Sequence, residues 1–204
     1  MKNRKYRLAL LAVASLLLAG CSSASGAEGH GGHSAHGSSH GSSQGSSPEF
    51  SSAPGATPAD GPSAASLMVC GEQVMGNVVS ILGLESGPHT VNSWSNNVFT
   101  CTYHLDGGDL EITVQEAGDR ASALEYFDAM QALAEDATPI DGLASLGFPA
   151  YETPDGSAVF QKDSMILHVD ASDLPADLGP EKITPTAFAY QLSTTILACW
   201  TEHP

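Results

Sequence analysis

Apolar residues recur at helical spacing in three segments of the chain after residue 66. Residues 69–84, VCGEQVMGNVVSILGL, predict a first helix that ends at Gly83. Asp119 is suited to cap a second helix, and Thr184 followed by Pro185 is suited to begin a third. The three helix faces comprise Val74, Val78, Ile81 and Leu82; Ala123, Leu124, Phe127, Met130 and Ala134; and Phe188, Leu192, Thr195, Ile196 and Cys199.

Between these helices the chain changes to strand patterns. Residues 98–105, VFTCTYHL, are rich in β-branched and aromatic side chains, and DGGD at 106–109 predicts a hairpin turn into an alternating strand with Leu110, Ile112 and Val114. AYET, the turn PDG and SAVFQ predict a second hairpin. A reversal at Asp163 and Ser164 leads into a last strand, MILHVD.

The order helix–strand–strand–helix–strand–strand–strand–helix indicates the α+β class. We expect a single antiparallel sheet of about five strands packed by helices and stabilised by a disulfide. Residues 66–204 are long enough to form one globular domain that buries a substantial core.

The start of the chain has the pattern of a secretory signal. Basic residues at positions 2, 4, 5 and 7 precede the apolar run 8–18, which is too short to span a bilayer. The run ends in LLAGC, which resembles the bacterial lipobox. This resemblance predicts a signal peptide over 1–20 and acyl groups such as palmitate on Cys21. A lipid anchor would then hold the protein on the extracytoplasmic face of the cell membrane.

Residues 21–65 are dominated by Ser, Gly, Ala, Pro and His and predict a disordered tether between lipid and domain. Imidazole is a good ligand for copper, zinc and nickel, and flexible neighbours allow several rings to turn toward one ion. The tether therefore indicates either a plain spacer or an arm that captures these metals loosely. The histidines concerned are His30, His33, His36 and His40.

The negative net charge of the chain limits the classes of partner that we expect it to bind. The whole chain has a formal charge of −16, and after Cys21 there are 23 acidic and only three basic residues, which gives −20. Such a surface repels phosphate backbones, so nucleic acid is excluded as an expected partner. High negative charge also favours solubility outside the cell.

The layout resembles small actinobacterial lipoproteins of unknown function and the related extracellular sensor domains of actinobacterial receptor kinases. The resemblance rests on Cys70 in VCGEQV, Cys101 in FTCTYHL and a glycine-turn segment before AYET, and it covers about residues 68–200. It implies a fold and an extracytoplasmic location, but no catalytic residues.

Three cysteines follow Cys21, and an oxidising compartment favours pairing two of them. We expect Cys70–Cys101, with Cys70–Cys199 as the alternative. The remaining thiol is expected to be buried beside Trp200.

Candidate chemistry is sparse. His168 and Asp170 are two residues apart on a predicted strand and share a sheet face, while His104 lies on another strand. No nucleophile elbow, catalytic carboxylate pair or phosphate-binding loop accompanies them. We therefore expect no enzyme and no tightly bound cofactor. The sequence favours a non-catalytic binding or sensing domain whose partner is an envelope protein or small ligand, with metal capture by the histidine arm as the alternative.

Overall fold

The computed structural model describes residues 61–202. Within this range the chain forms four α-helices: α1 Ala64–Met68, α2 Glu72–Leu82, α3 Arg120–Leu133 and α4 Pro185–Glu202. A short 3-10 helix covers Gly142–Ser145. The strands are β1 His89–Ser95, β2 Val98–Leu105, β3 Gly108–Glu116, β4 Thr138–Pro139, β5 Ala150–Glu152, β6 Ser157–Lys162 and β7 Met165–Asp170.

All seven strands belong to one antiparallel sheet with the order β1-β2-β3-β7-β6-β5-β4. The chain lays down β1 to β3 as a meander and crosses through α3 to the opposite edge. It then returns through β4 to β7, so that β7 pairs with β3 in the centre. This path makes β1 and β4 the two edge strands.

The two faces of the sheet are covered unequally. On one face α2 and α4 pack over the alternating apolar residues of the strands, including Phe99, Ile112 and Leu167, to form the larger core. On the other face α3 covers only the β5–β7 half through a smaller cluster. That cluster consists of Ala123, Phe127, Tyr151, Val159 and Ile166. The second face of β1–β3 therefore lies outside the helical cover.

Polar contacts fix α1 to the rest of the domain. The Glu116 carboxylate at the end of β3 accepts hydrogen bonds from the Ser63 amide at 2.8 Å and from the Ser66 hydroxyl. The Trp200 indole of α4 donates to the Ala65 carbonyl at 3.1 Å. The buried Tyr103 hydroxyl donates to the Val69 carbonyl, and its burial raises the pKa of the phenol.

A disulfide joins Cys70, which precedes α2, to Cys101 in β2. The alternative pairing of Cys70 with Cys199 does not form. Cys199 is 2 % exposed in α4, next to the buried Trp200, as expected for the remaining thiol. The bridge ties the first helices to the sheet across 31 residues of sequence.

The α+β class and the single antiparallel sheet are confirmed, but the prediction of about five strands is wrong. Two strands escaped prediction, and both are edges. β1, HTVNSWS, is mostly polar and exposed, so it carries no apolar alternation. β4 has two residues, one of them Pro139. An element that buries little apolar surface leaves no periodic signal.

The predicted caps of the later helices are confirmed. Asp119 accepts a hydrogen bond from the Ser122 amide at 2.8 Å, and Thr184 accepts one from the Ala187 amide at 3.2 Å. The first helix differs from prediction. It begins at Glu72 rather than at residue 69, because Gly71 is extended and Cys70 turns toward its disulfide partner, and the separate helix α1 precedes it.

Among the described residues one stretch, Ala64–Leu82, would be long and apolar enough to cross a membrane by length and composition. It is divided between α1 and α2, and Val69, Val74 and Val78 within it are buried in the larger core. Core helices of globular domains pass the same test, so this stretch is weak evidence for a membrane span.

We predict that replacing Cys70 and Cys101 together by alanine lowers the free energy of unfolding by about 3–4 kcal/mol, because the bridge restricts the unfolded chain across a loop of this length. Guanidinium unfolding followed by circular dichroism measures the loss. A non-reduced digest should yield a peptide pair linked through Cys70 and Cys101. A pair linked through Cys199 would contradict the assignment.

Candidate functional site

A cleft of about 580 Å³ lies at the end of the sheet where β2 turns into β3. Three segments line it: the α2–β1 connection, the β2–β3 hairpin and the segment after β7. Its lining residues fall within 82–88, 104–107 and 174–179. We call this concavity the acidic cleft.

Backbone contacts hold the three segments together. Gly108 has φ of 144°, and a Cβ there would lie 2.3 Å from the Asp173 carbonyl oxygen. Gly179 also lies close to the end of α2, where a Cβ would be 2.8 Å from the Ile81 carbonyl oxygen. Side chains larger than hydrogen do not fit at these distances. The hairpin and α2 are thus both packed directly on the segment after β7.

The cleft combines an apolar floor with a negative rim. Leu174 and Leu178 are buried and contribute to the larger core, and Leu82 and Leu105 pack against that core. The exposed rim carries the carboxylates of Glu85, Asp106 and Asp177, one from each segment. None of the described residues that line the cleft is a lysine or arginine. This arrangement suits a ligand with an apolar body and a positive charge.

A histidine pair borders the cleft at the start of β1. His89 and His104 face each other across the β1–β2 ladder with their rings stacked at 5.5 Å between centroids. The His104 Nδ1 lies 2.9 Å from the Asp109 Oδ1, so the carboxylate orients the ring.

Carboxylates continue from the cleft onto the uncovered sheet face. Glu111 lies opposite Asp170 in the β3–β7 ladder, and both line a smaller depression of about 230 Å³ with Asp109 and Asp173. Partial burial raises the pKa of the Glu111 carboxyl, and repulsion from Asp170 and Asp109 raises it further. Negative charge at this end of the sheet is therefore concentrated enough to disfavour its own ionisation.

His168 and Asp170 share this sheet face, as predicted. His168 borders a pocket of about 320 Å³ between α3 and the sheet, together with Tyr151 and Ser157. Burial lowers the pKa of the His168 imidazole, against the opposing effect of Asp170 and Asp155. The Ser157 hydroxyl donates to Asp170 at 3.3 Å, and among the described residues His168 makes no hydrogen bond to a hydroxyl or thiol.

The structure does not bring the two strand histidines together. His104 pairs with Asp109 on β3, whereas His168 on β7 pairs with Thr113 on the other side of β3. Within residues 61–202 no group of three His, Cys, Asp or Glu side chains is placed to hold a metal ion. The predicted lipidation residue and the predicted metal-binding histidines lie outside the described residues: Cys21, His30, His33, His36 and His40.

The rim of the acidic cleft was missed by sequence reasoning. Asp106 appeared only as a turn residue, and Glu85 and Asp177 lie in loops without a motif. Their one signal is the excess of acidic over basic residues, which does not indicate where carboxylates converge.

Comparison of the chain with protein-family models, with curated proteins and with solved structures finds no match.

We predict that Glu111→Gln increases the free energy of unfolding at pH 7 by a few tenths of a kcal/mol, a small gain because the exposed side chain is screened by solvent. The raised pKa means that the folded state holds a proton more readily than the unfolded state. The parent protein should therefore gain stability as the pH falls from 7 toward the ordinary glutamate range. Urea unfolding across this pH range measures both effects.

Glu125→Gln on the exposed side of α3 is the control for removing one negative charge. The free energy of unfolding should increase more in Glu111→Gln than in the control, and the difference between the two should shrink in high salt. Equal gains for the two variants would show that Glu111 has no special environment.

Proposed function

We propose that this protein is a lipoprotein anchored at Cys21 on the extracytoplasmic face of the cell membrane, with a non-catalytic domain that binds a cationic ligand in the acidic cleft. The lipobox-like LLAGC and the Gly/Ser/His-rich segment support the anchor and the tether. The observation that carries the binding proposal is the cleft itself, in which three separate segments each contribute one carboxylate above an apolar floor.

Charge alone would not carry this proposal, because an acidic surface also serves solubility. The shape of the cleft adds a second requirement. A lysine or arginine side chain has an apolar stem that can cover leucine and a charged head that can reach a carboxylate. The apolar floor and the exposed Glu85, Asp106 and Asp177 match those two parts.

The expected strength of such binding is modest. An exposed ion pair contributes about 0.2–1 kcal/mol, and burying about 100 Å² of apolar stem contributes about 2.5 kcal/mol. Loss of translational and rotational freedom opposes these terms. One cationic side chain should therefore bind only weakly, with a dissociation constant above the millimolar range.

The cleft is also consistent with a sensing role, because one ligand in it would contact three segments that are distant in sequence. Metal capture by the histidine arm stays a prediction of the sequence, since those histidines lie outside the described residues.

We predict that acetyl-arginine methylamide, titrated into the full-length protein, shifts the NMR amide signals of residues 82–88, 104–107 and 174–179. The shifts should weaken with added salt because the rim charges are exposed. The citrulline analogue, which has nearly the same shape without the charge, should produce at least fivefold smaller shifts at equal concentration.

The variant Asp106→Asn/Asp177→Asn should bind the arginine probe severalfold more weakly than the parent protein does. The control Glu125→Gln/Asp128→Asn removes the same charge from exposed positions of α3 and should leave binding near the parent value. Equal weakening in both variants would indicate binding to net charge rather than to the cleft, and the proposal would fail.

A further inference from the structure

The acidic cleft adjoins an open sheet edge. The cleft wall at Pro88 leads directly into β1, and no strand within residues 61–202 lies on the outer side of β1. Val91, Asn92, Ser93 and Ser95 are exposed along this edge. A ligand held in the cleft therefore lies at the start of an unpaired strand.

Register shows which backbone groups of β1 point outward. A two-residue turn joins β1 to β2, with φ of 53° at Asn96 and 61° at Asn97, so Ser95 and Val98 form the hydrogen-bonded pair that closes the hairpin. Hydrogen-bonded and non-hydrogen-bonded pairs alternate from that point. The N–H and C=O groups of Thr90, Asn92 and Trp94 consequently face away from β2. No described residue hydrogen-bonds these backbone groups.

The two sheet edges differ in their protection. Exposed edges are commonly shielded by charge, proline, a bulge or short length. β4 is two residues long and contains Pro139. β1 has seven residues, none of them charged and none proline, and it pairs with β2 without a bulge. The β4 edge is thus poorly suited to pair with an added strand, whereas the β1 edge is well suited to it.

We propose that β1 is a docking edge for an extended, positively charged segment of a partner protein. The segment adds antiparallel to β1 and places a basic side chain in the acidic cleft. This inference rests on the proposed cation-binding function of the cleft and names the class of partner. Backbone pairing with Thr90, Asn92 and Trp94 supplies the contact that a single cationic side chain lacks. The antiparallel direction brings the carboxyl-terminal end of the segment to His89 and the cleft.

Charge favours such a segment over a second copy of this chain. Three of the 23 acidic residues precede residue 61, so residues 61–202 contain 20 acidic residues against three basic ones. Two copies joined through β1 would bring two strongly negative domains together, including the carboxylates Glu85 and Asp106 of both. Like charges in an interface oppose association, whereas a basic segment is attracted to the same surface.

The uncharged sequence of β1 suits this partner. The negative residues near the edge lie at the His89 end, at Glu85, Asp106 and Asp109, while the middle of β1 offers only polar and apolar side chains. A matching segment would have a neutral strand of β-branched residues followed by lysine or arginine.

The test uses the probe acetyl-Thr-Val-Thr-Val-Thr-Arg-amide, titrated calorimetrically into the full-length protein. Two isomers carry N-methyl groups, one on both valines and the other on the second and third threonines. Only one alternate set of amides in an added strand faces β1. One isomer should therefore lose at least tenfold in affinity while the other stays within about threefold of the parent probe.

Asn92→Pro removes the central outward N–H, a position at which an edge strand tolerates proline. The affinity of this variant for the unmethylated probe should be at least tenfold lower than that of the parent protein. Asn92→Ala keeps the backbone donor and should bind the probe as tightly as the parent protein does. The thermal transition of Asn92→Pro shows whether the domain stays folded. If the Asn92→Pro variant does not fold, the comparison of the two N-methylated peptides tests the docking edge instead. Equal binding of the two isomers would overturn the docking edge.

The two proposals fail in different ways. Binding of acetyl-arginine methylamide to the cleft, combined with equal affinity of the two N-methyl isomers, would remove the docking edge and leave the cation site. If the variant Asp106→Asn/Asp177→Asn binds the arginine probe as tightly as the parent protein does, the proposed cation site is wrong. The docking edge that rests on it is then wrong as well.

Discussion

The acidic cleft depends on one backbone contact, the close approach of the β2–β3 hairpin to the segment after β7. Gly108 meets the Asp173 carbonyl at a distance that excludes a side chain. This contact places Asp106 on one side of the cleft and Asp177 on the other. The packing of Gly179 on the end of α2 adds the third wall. Carboxylates from three parts of the sequence are thereby held around one apolar floor.

The unequal cover of the sheet explains how the domain tolerates this charge. The larger core under α2 and α4, the small cluster under α3 and the Cys70–Cys101 bridge stabilise the fold without help from the β1–β3 outer face. The same side of the sheet can then carry Glu111 of β3 and Asp170 of β7 side by side, at a cost visible in the raised pKa of Glu111. Two of the three lysine and arginine residues within 61–202, Arg120 and Lys162, lie where β3 and β6 end, at the opposite end of the sheet from the cleft.

Most of the buried architecture could be predicted from the sequence, because helix faces such as Phe188–Leu192–Ile196 and strand alternations such as Leu110–Ile112–Val114 are local patterns of burial. The caps at Asp119 and Thr184 are equally local. The edge strand β1 could not be predicted because it buries too little to leave a pattern. The cleft could not be predicted because its geometry comes from glycine contacts between segments distant in sequence. A pattern of single residues contains no information about such approaches.

The central claim is that the open β1 edge and the acidic cleft form one surface for an extended cationic segment. Amide hydrogen exchange, measured by NMR on the full-length protein, tests it most directly. In the free protein the amides of Thr90, Asn92 and Trp94 should exchange rapidly, whereas those of Val91 and Ser93, which bond to β2, should be protected. Adding the unmethylated peptide should slow the exchange of the Thr90, Asn92 and Trp94 amides. Equal protection of both sets in the free protein, or no slowing when the peptide is added, would contradict the account.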